Sequence, residues 1–144
     1  MIATLGGVGF TPLAPGTAAT AVTALILGLV PFSPGALVIT FVAVTAIGIW
    51  AAGRAERVLG GKDPGVIVID EVAGMILAVL LLPRTVPVLA AGFVVFRIFD
   101  IVKPFPADAS QRLPAGLGVM TDDLVAGLYA LAVLALARAT VGWP

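Results

Sequence analysis

The sequence predicts an all-α fold: a compact integral-membrane bundle of about five helices, formed as one domain over residues 1–144. Three observations carry that expectation. Hydrophobic residues make up 60% of the chain and charged residues 11%, against about 45–50% and 25% in an ordinary soluble domain. Mean hydropathy is +1.17. The apolar residues fall into runs near the ~20 residues that a bilayer core requires, and turns rich in Gly, Pro or charge separate those runs.

The elements follow in order. Residues 1–53 carry no charge. The start, from Met1 to Gly9, has no basic segment, so a standard signal peptide is not expected. Three early glycines and two prolines make residues 6–17 a loop. Thr17 is placed as N-cap of a first helix over residues 18–30. Pro31, Pro34 and Gly35 turn the chain into a second helix, 36–59, whose last turns bear Arg54, Glu56 and Arg57. Residues 60–65 form a solvated turn containing Lys62 and Asp63, and a third helix spans 66–82 with Asp70 and Glu71 near its start. A turn at 83–87 leads to a fourth helix, 88–102, which must stop there because Pro104 disfavours helical geometry in Lys103. Residues 104–118 are a polar connection, and a fifth helix, 121–139, opens on Asp122-Asp123. Trp50 and Trp143 suit membrane interfaces.

Five successive crossings put the 6–17 loop, the 54–71 segment, the 97–118 segment and Asp122-Asp123 on one side. Arg54, Arg57, Lys62, Arg97, Lys103 and Arg112 then share that side, with Arg84 and Arg138 on the other. The excess of Lys and Arg marks the charged side as cytoplasmic.

The chain is organised around Phe96-Arg97-Ile98-Phe99-Asp100-Ile101-Val102-Lys103-Pro104-Phe105-Pro106. Spacing of three sets Asp100 beside both Arg97 and Lys103 on one helical face. Ionisable groups at the end of an oily helix are costly, so they mark function or satisfy one another. Asp70, Glu71, Asp122 and Asp123 are expected at the same side. These five carboxylates against two cations leave a formal charge of −3, which low dielectric tolerates only if protons or cations bind. Either one or two Mg²⁺ would offset it and hold a phosphate. The absence of His and Cys excludes thiol nucleophiles, Ser-His-Asp triads and Cys/His zinc sites, so carboxylate chemistry with Mg²⁺ is the natural reading. Eight basic and eight acidic residues imply no nucleic-acid surface.

Each feature also has a plainer reading. Arg97 and Asp100 pair easily as a structural salt bridge. Neither acidic doublet has a basic neighbour to match it, and helix-dipole compensation suits Asp122-Asp123 better than Asp70-Glu71. The glycine loop either offers backbone amides near Gly16 and Thr17 to a phosphate or simply caps a helix. Asp70 and Asp123 each precede a glycine by four residues, within a shared Asp-x-Val-Ala-Gly pattern, which carries both towards close helix contacts.

Val68-Ile69-Asp70-Glu71-Val72-Ala73-Gly74-Met75, the Phe96–Pro106 stretch, Gly116-Leu117-Gly118-Val119-Met120-Thr121-Asp122-Asp123-Leu124-Val125-Ala126-Gly127 and the opening Gly9-Phe10-Thr11-Pro12-Leu13-Ala14-Pro15-Gly16-Thr17 together resemble the phosphatidylglycerophosphatase A family. The resemblance covers about residues 6–130. It implies a Mg²⁺-dependent phosphatase of the bacterial inner membrane that converts phosphatidylglycerophosphate to phosphatidylglycerol and inorganic phosphate. It also implies one central helix surrounded by the others. Family histidines near Lys62 and Ala115 have no counterpart here. On this reading Asp70, Glu71, Asp122 and Asp123 bind metal, and Asp100 is another ligand or positions water. Arg97 and Lys103 bind phosphate oxygens and stabilise the transition state, and amides near Gly16 and Thr17 complete the cradle. Metal-activated water is favoured over an aspartyl-phosphate intermediate. Two other classes compete: a small membrane cation transporter, and a CDP-alcohol phosphatidyltransferase, whose aspartate signature is absent.

Overall fold

The computed structural model describes residues 1–61, 64–110 and 113–142. Lys62, Asp63, Arg112 and Trp143, which the sequence reading assigned to a turn, the basic side and an interface, lie outside the described residues. Among the described residues the chain is all helical. It has a 3₁₀ turn at Leu5–Phe10 and six α-helices: α1 Pro15–Leu29, α2 Pro34–Leu59, α3 Ile69–Val79, α4 Val86–Val102, α5 Ala107–Ser110 and α6 Gly116–Val141. The predicted count of about five becomes six because α5, one turn of four residues, forms within the proline-rich connection.

Several boundaries differ from expectation for local reasons. Thr17 is not the N-cap of α1. The helix starts at Pro15, whose fixed φ suits the first helical position, and Ala14 precedes it in the left-handed region at φ 89°. α2 likewise begins on Pro34, with Ser33 Oγ accepting the Ala36 N–H at 3.2 Å. It ends on Gly60 at φ 74°, a conformation that glycine adopts without strain. α3 is shorter than the predicted 66–82. The Val68 N–H donates to the Ala3 carbonyl at 2.8 Å, which ties the residues before Ile69 to the N-terminal segment instead of a helix. α4 stops at Val102 as expected, with Lys103 left-handed at φ 46° ahead of Pro104. α6 starts five residues before the predicted 121. Gly116 presses onto α2, where any Cβ would meet Ile49 O and lie 2.6 Å from the Gly53 nitrogen. Packing thus outweighs the weak helix propensity of glycine.

α3 packs against α1, α2, α4 and α6, and nine of its eleven residues are buried. The core is built from Phe96, Leu37, Met75, Met120 and Val79, all fully enclosed. α3 and α6 cross at Gly74 and Gly127, where a Cβ on Gly127 would stand 2.5 Å from the Gly74 carbonyl oxygen. These are the two glycines of the repeated Asp-x-Val-Ala-Gly pattern. Their crossing carries Asp70 and Asp123, one turn earlier on each helix, to the same place.

Two helices among the described residues, α2 and α6, are long and apolar enough to cross a membrane. At 26 residues each they measure about 39 Å, more than a hydrocarbon core of about 30 Å. Only 22% of the most apolar window of each is buried, so their apolar surface points outward. α1 and α3, with 15 and 11 residues, reach only about 22 and 16 Å. The predicted series of five full crossings is therefore not matched by helix length.

Candidate active site

The start of α1, the start of α3, the end of α4 and the second turn of α6 meet at one point. Asp70 and Glu71 occupy the first turn of α3. Asp122 and Asp123 lie six and seven residues after the start of α6. This reverses the helix-dipole expectation: the Asp70-Glu71 pair sits where a helix dipole favours negative charge, and Asp122-Asp123 does not. Asp122 and Asp123 are 2% and 1% exposed, and Asp70 and Asp100 are also buried.

The acidic doublets do have basic partners, on other helices. Arg97 pairs with Asp100 and lies 3.7 Å from Glu71 Oε1, joining α4 to α3. Lys103 pairs closely with Asp122 and lies 3.6 Å from Asp100 Oδ1, joining the end of α4 to α6. Helical spacing revealed only the pairs within α4; the cross-helix pairs connect residues far apart in sequence. Burial works against the Lys103 ammonium, but its hydrogen bond to Asp122 and the charges of Asp122, Asp123 and Asp100 outweigh that effect. Its pKa is held above the ordinary lysine value.

The carboxylates form two overlapping groups. One oxygen from each of Asp70, Asp122 and Asp123 lies within 4.8 Å of the others, and the same holds for Glu71, Asp100 and Asp123. Asp123 belongs to both. Its Oδ2 and Glu71 Oε2 are buried without a hydrogen-bond partner, an arrangement that is costly unless something else engages them. Oxygen donors in this number, two of them buried and unpartnered, fit a hard divalent cation.

Gly16 closes the site from α1. A Cβ there would meet Glu71 Oε1 and stand 2.9 Å from Arg97 Nη1, so any larger residue would displace these two side chains from their present positions. The first intrahelical amide bond runs from Ala18 N to Ala14 O, which leaves the amides of Gly16 and Thr17 without helical acceptors beside Arg97. Sequence reasoning named Gly16 as an amide donor and missed its steric role. The later requirement became visible only once α3 and α4 were packed against it. The structure thus gathers Gly16, Asp70, Glu71, Arg97, Asp100, Lys103, Asp122 and Asp123, with Thr17 on the adjoining turn of α1.

The family model for phosphatidylglycerophosphatase A matches residues 1–138. A protein of Bacteroides thetaiotaomicron, provisionally named a phosphatidylinositol-3-phosphatase, is 39% identical over 154 aligned positions, covering 99% of this chain and 94% of its own. Phosphatidylglycerophosphatase A of Escherichia coli is 35% identical, covering 89% of this chain and 76% of its own. That of Haemophilus influenzae is 34% identical, covering 89% and 81%. No solved structure matches. The chain belongs to the phosphatidylglycerophosphatase A family and is a phosphatase.

Proposed function

We propose that this phosphatase hydrolyses the terminal phosphate monoester of phosphatidylglycerophosphate, giving phosphatidylglycerol and inorganic phosphate, with Mg²⁺ as its cofactor. The observation that carries the proposal is the convergence of five carboxylates, Arg97, Lys103 and the start of α1. Mg²⁺ would be held by Asp70, Glu71, Asp122 and Asp123, with Asp100 completing the set, and would neutralise charge on the phosphoryl group and its attacking oxygen.

The residues of the chain do the remaining work. Arg97 offers guanidinium N–H groups to phosphate oxygens, and its Nε is buried without a hydrogen-bond partner. Lys103, held fully charged by its acidic neighbours, supplies a second cation at the end of α4. The Gly16 and Thr17 amides present donors from a helix start, where an anion is favoured. Asp100 holds Arg97 in place and lies within reach of Lys103, which suits it to orient the attacking water. Such preorganised donors stabilise the charge that develops on phosphoryl oxygens during displacement.

In this reading the protein is a multi-pass protein of the bacterial cytoplasmic membrane, with α3 as the central helix. The lipid keeps its acyl chains in the bilayer and presents its headgroup to a cytoplasm-facing site. The name of the Bacteroides relative favours a second substrate, phosphatidylinositol 3-phosphate. Turnover of phosphatidylglycerophosphate, phosphatidylinositol 3-phosphate and phosphatidic acid by the purified protein separates the two. The proposal expects the highest kcat/KM with phosphatidylglycerophosphate; a preference for the inositol lipid would reassign the substrate.

A further inference from the structure

The geometry points to a groove between α1 and α4 as the seat of one acyl chain of the substrate during turnover. This rests on the lipid-phosphatase reading above. The open groove has a volume of about 570 Å³ and is lined by apolar residues, within the range of pockets that hold small ligands. Ala21, Ala24 and Gly28 line it from α1, and Leu89, Ala90 and Phe93 from α4.

Two features connect it to the site. The first is helical register. On α1 the lining residues Ala21, Ala24 and Gly28 continue towards the helix start, by steps of three and four, to Thr17. On α4 the lining residues Leu89, Ala90 and Phe93 continue by the same steps to Arg97. The two walls therefore end on the groups assigned to the phosphate. The second is direction. α1 runs away from the site and α4 runs towards it, so the groove leads from the Arg97 end along both helices. A lipid with its phosphate at Arg97 and Gly16 would have its tail aligned with the groove. Small side chains at Ala21, Ala24, Gly28 and Ala90 keep the space open, whereas Leu25, Leu29 and Val86 are exposed along its edges.

The test fills the groove at a distance from the chemistry. Ala24→Trp and Ala90→Trp would be compared with wild type on phosphatidylglycerophosphate and on its deacylated, water-soluble headgroup. The expected result is at least a tenfold loss of kcat/KM on the lipid and less than a twofold change on the headgroup. Retained headgroup hydrolysis also shows that the variants are folded. Equal effects on both substrates, or none on either, would overturn the proposal. A second measurement does not depend on turnover: crosslinking by a phosphatidylglycerophosphate analogue bearing a mid-chain diazirine. Labelling of α1 and α4, displaced by unlabelled phosphatidylglycerophosphate but not by phosphatidylcholine, is expected. Labelling displaced equally by both would mean bulk lipid occupancy and would overturn the assignment. If wild type hydrolyses neither substrate, the proposed function fails and the crosslinking result alone decides the groove.

Discussion

At the scale of single residues the site balances repulsion against a few well-placed cations. Asp123 is the residue common to both carboxylate groups, so Asp123→Asn is expected to lower kcat by roughly 100-fold or more. Asp70→Asn and Asp100→Asn should lose similar amounts. Thermal unfolding supplies an independent readout. Mg²⁺ at about 100 times its Kd would stabilise the wild type by about 2.7 kcal/mol, and Asp123→Asn should lose most of that gain. Without Mg²⁺ the variant should melt above the wild type, because one of five crowded carboxylates is gone. A variant that keeps the Mg²⁺-dependent rise would remove Asp123 from the cation site. Gly16→Ala tests the close approach of α1: the added Cβ collides with Glu71 and crowds Arg97. Activity should fall at least tenfold by phosphate release, with little change in melting temperature. The chemical types and most positions of these residues were legible in the sequence, because ionisable groups stand out against so apolar a background. The pairs Arg97–Glu71 and Lys103–Asp122 were not legible, since each depends on how two helices pack.

At the scale of elements, helices were easier to find than their ends. The apolar runs and Pro104 gave the end of α4 correctly. The ends of α3 and the start of α6 depended on tertiary contacts, namely Val68 bonded to Ala3 and Gly116 pressed onto α2. Prolines at the starts of α1 and α2 carried a usable signal, since Pro favours the first helical turn, and reading them as turn residues shifted both helices. The α3–α6 crossing gives a sharp prediction. Gly127→Leu should destabilise the fold by about 1–3 kcal/mol, the usual scale of overpacking, and reduce activity by parting Asp70 from Asp123. Gly35→Ala, where a Cβ meets nothing within 4 Å, should be near neutral. Melting curves in detergent check both, and equal effects would contradict the crossing.

At the scale of the whole molecule, composition pointed to a membrane protein, and α2 and α6 have the length and apolar surface to cross one. Five crossings were inferred from run lengths alone. α3, with nine of its eleven residues buried, shows that an apolar run can be covered by other helices instead of by lipid, whereas α1 keeps Leu25, Ile26 and Leu29 exposed. Because the chain contains no cysteine, single-cysteine labelling can report its orientation cleanly. Gly61→Cys, after α2, should react with an impermeant reagent from the cytoplasmic side. Gly35→Cys, at the other end of α2, should react from the opposite side. Labelling of both from one side would contradict a crossing by α2.

The central claim is that one carboxylate cluster, with Arg97 and Lys103, removes the terminal phosphate of phosphatidylglycerophosphate with Mg²⁺. The most direct test is release of inorganic phosphate from that lipid by the detergent-purified protein, with Mg²⁺ and with EDTA. Release that needs Mg²⁺ and recovers when Mg²⁺ is restored is the predicted result. Folded protein that releases no phosphate in either condition, or releases it equally well in EDTA, would contradict the account.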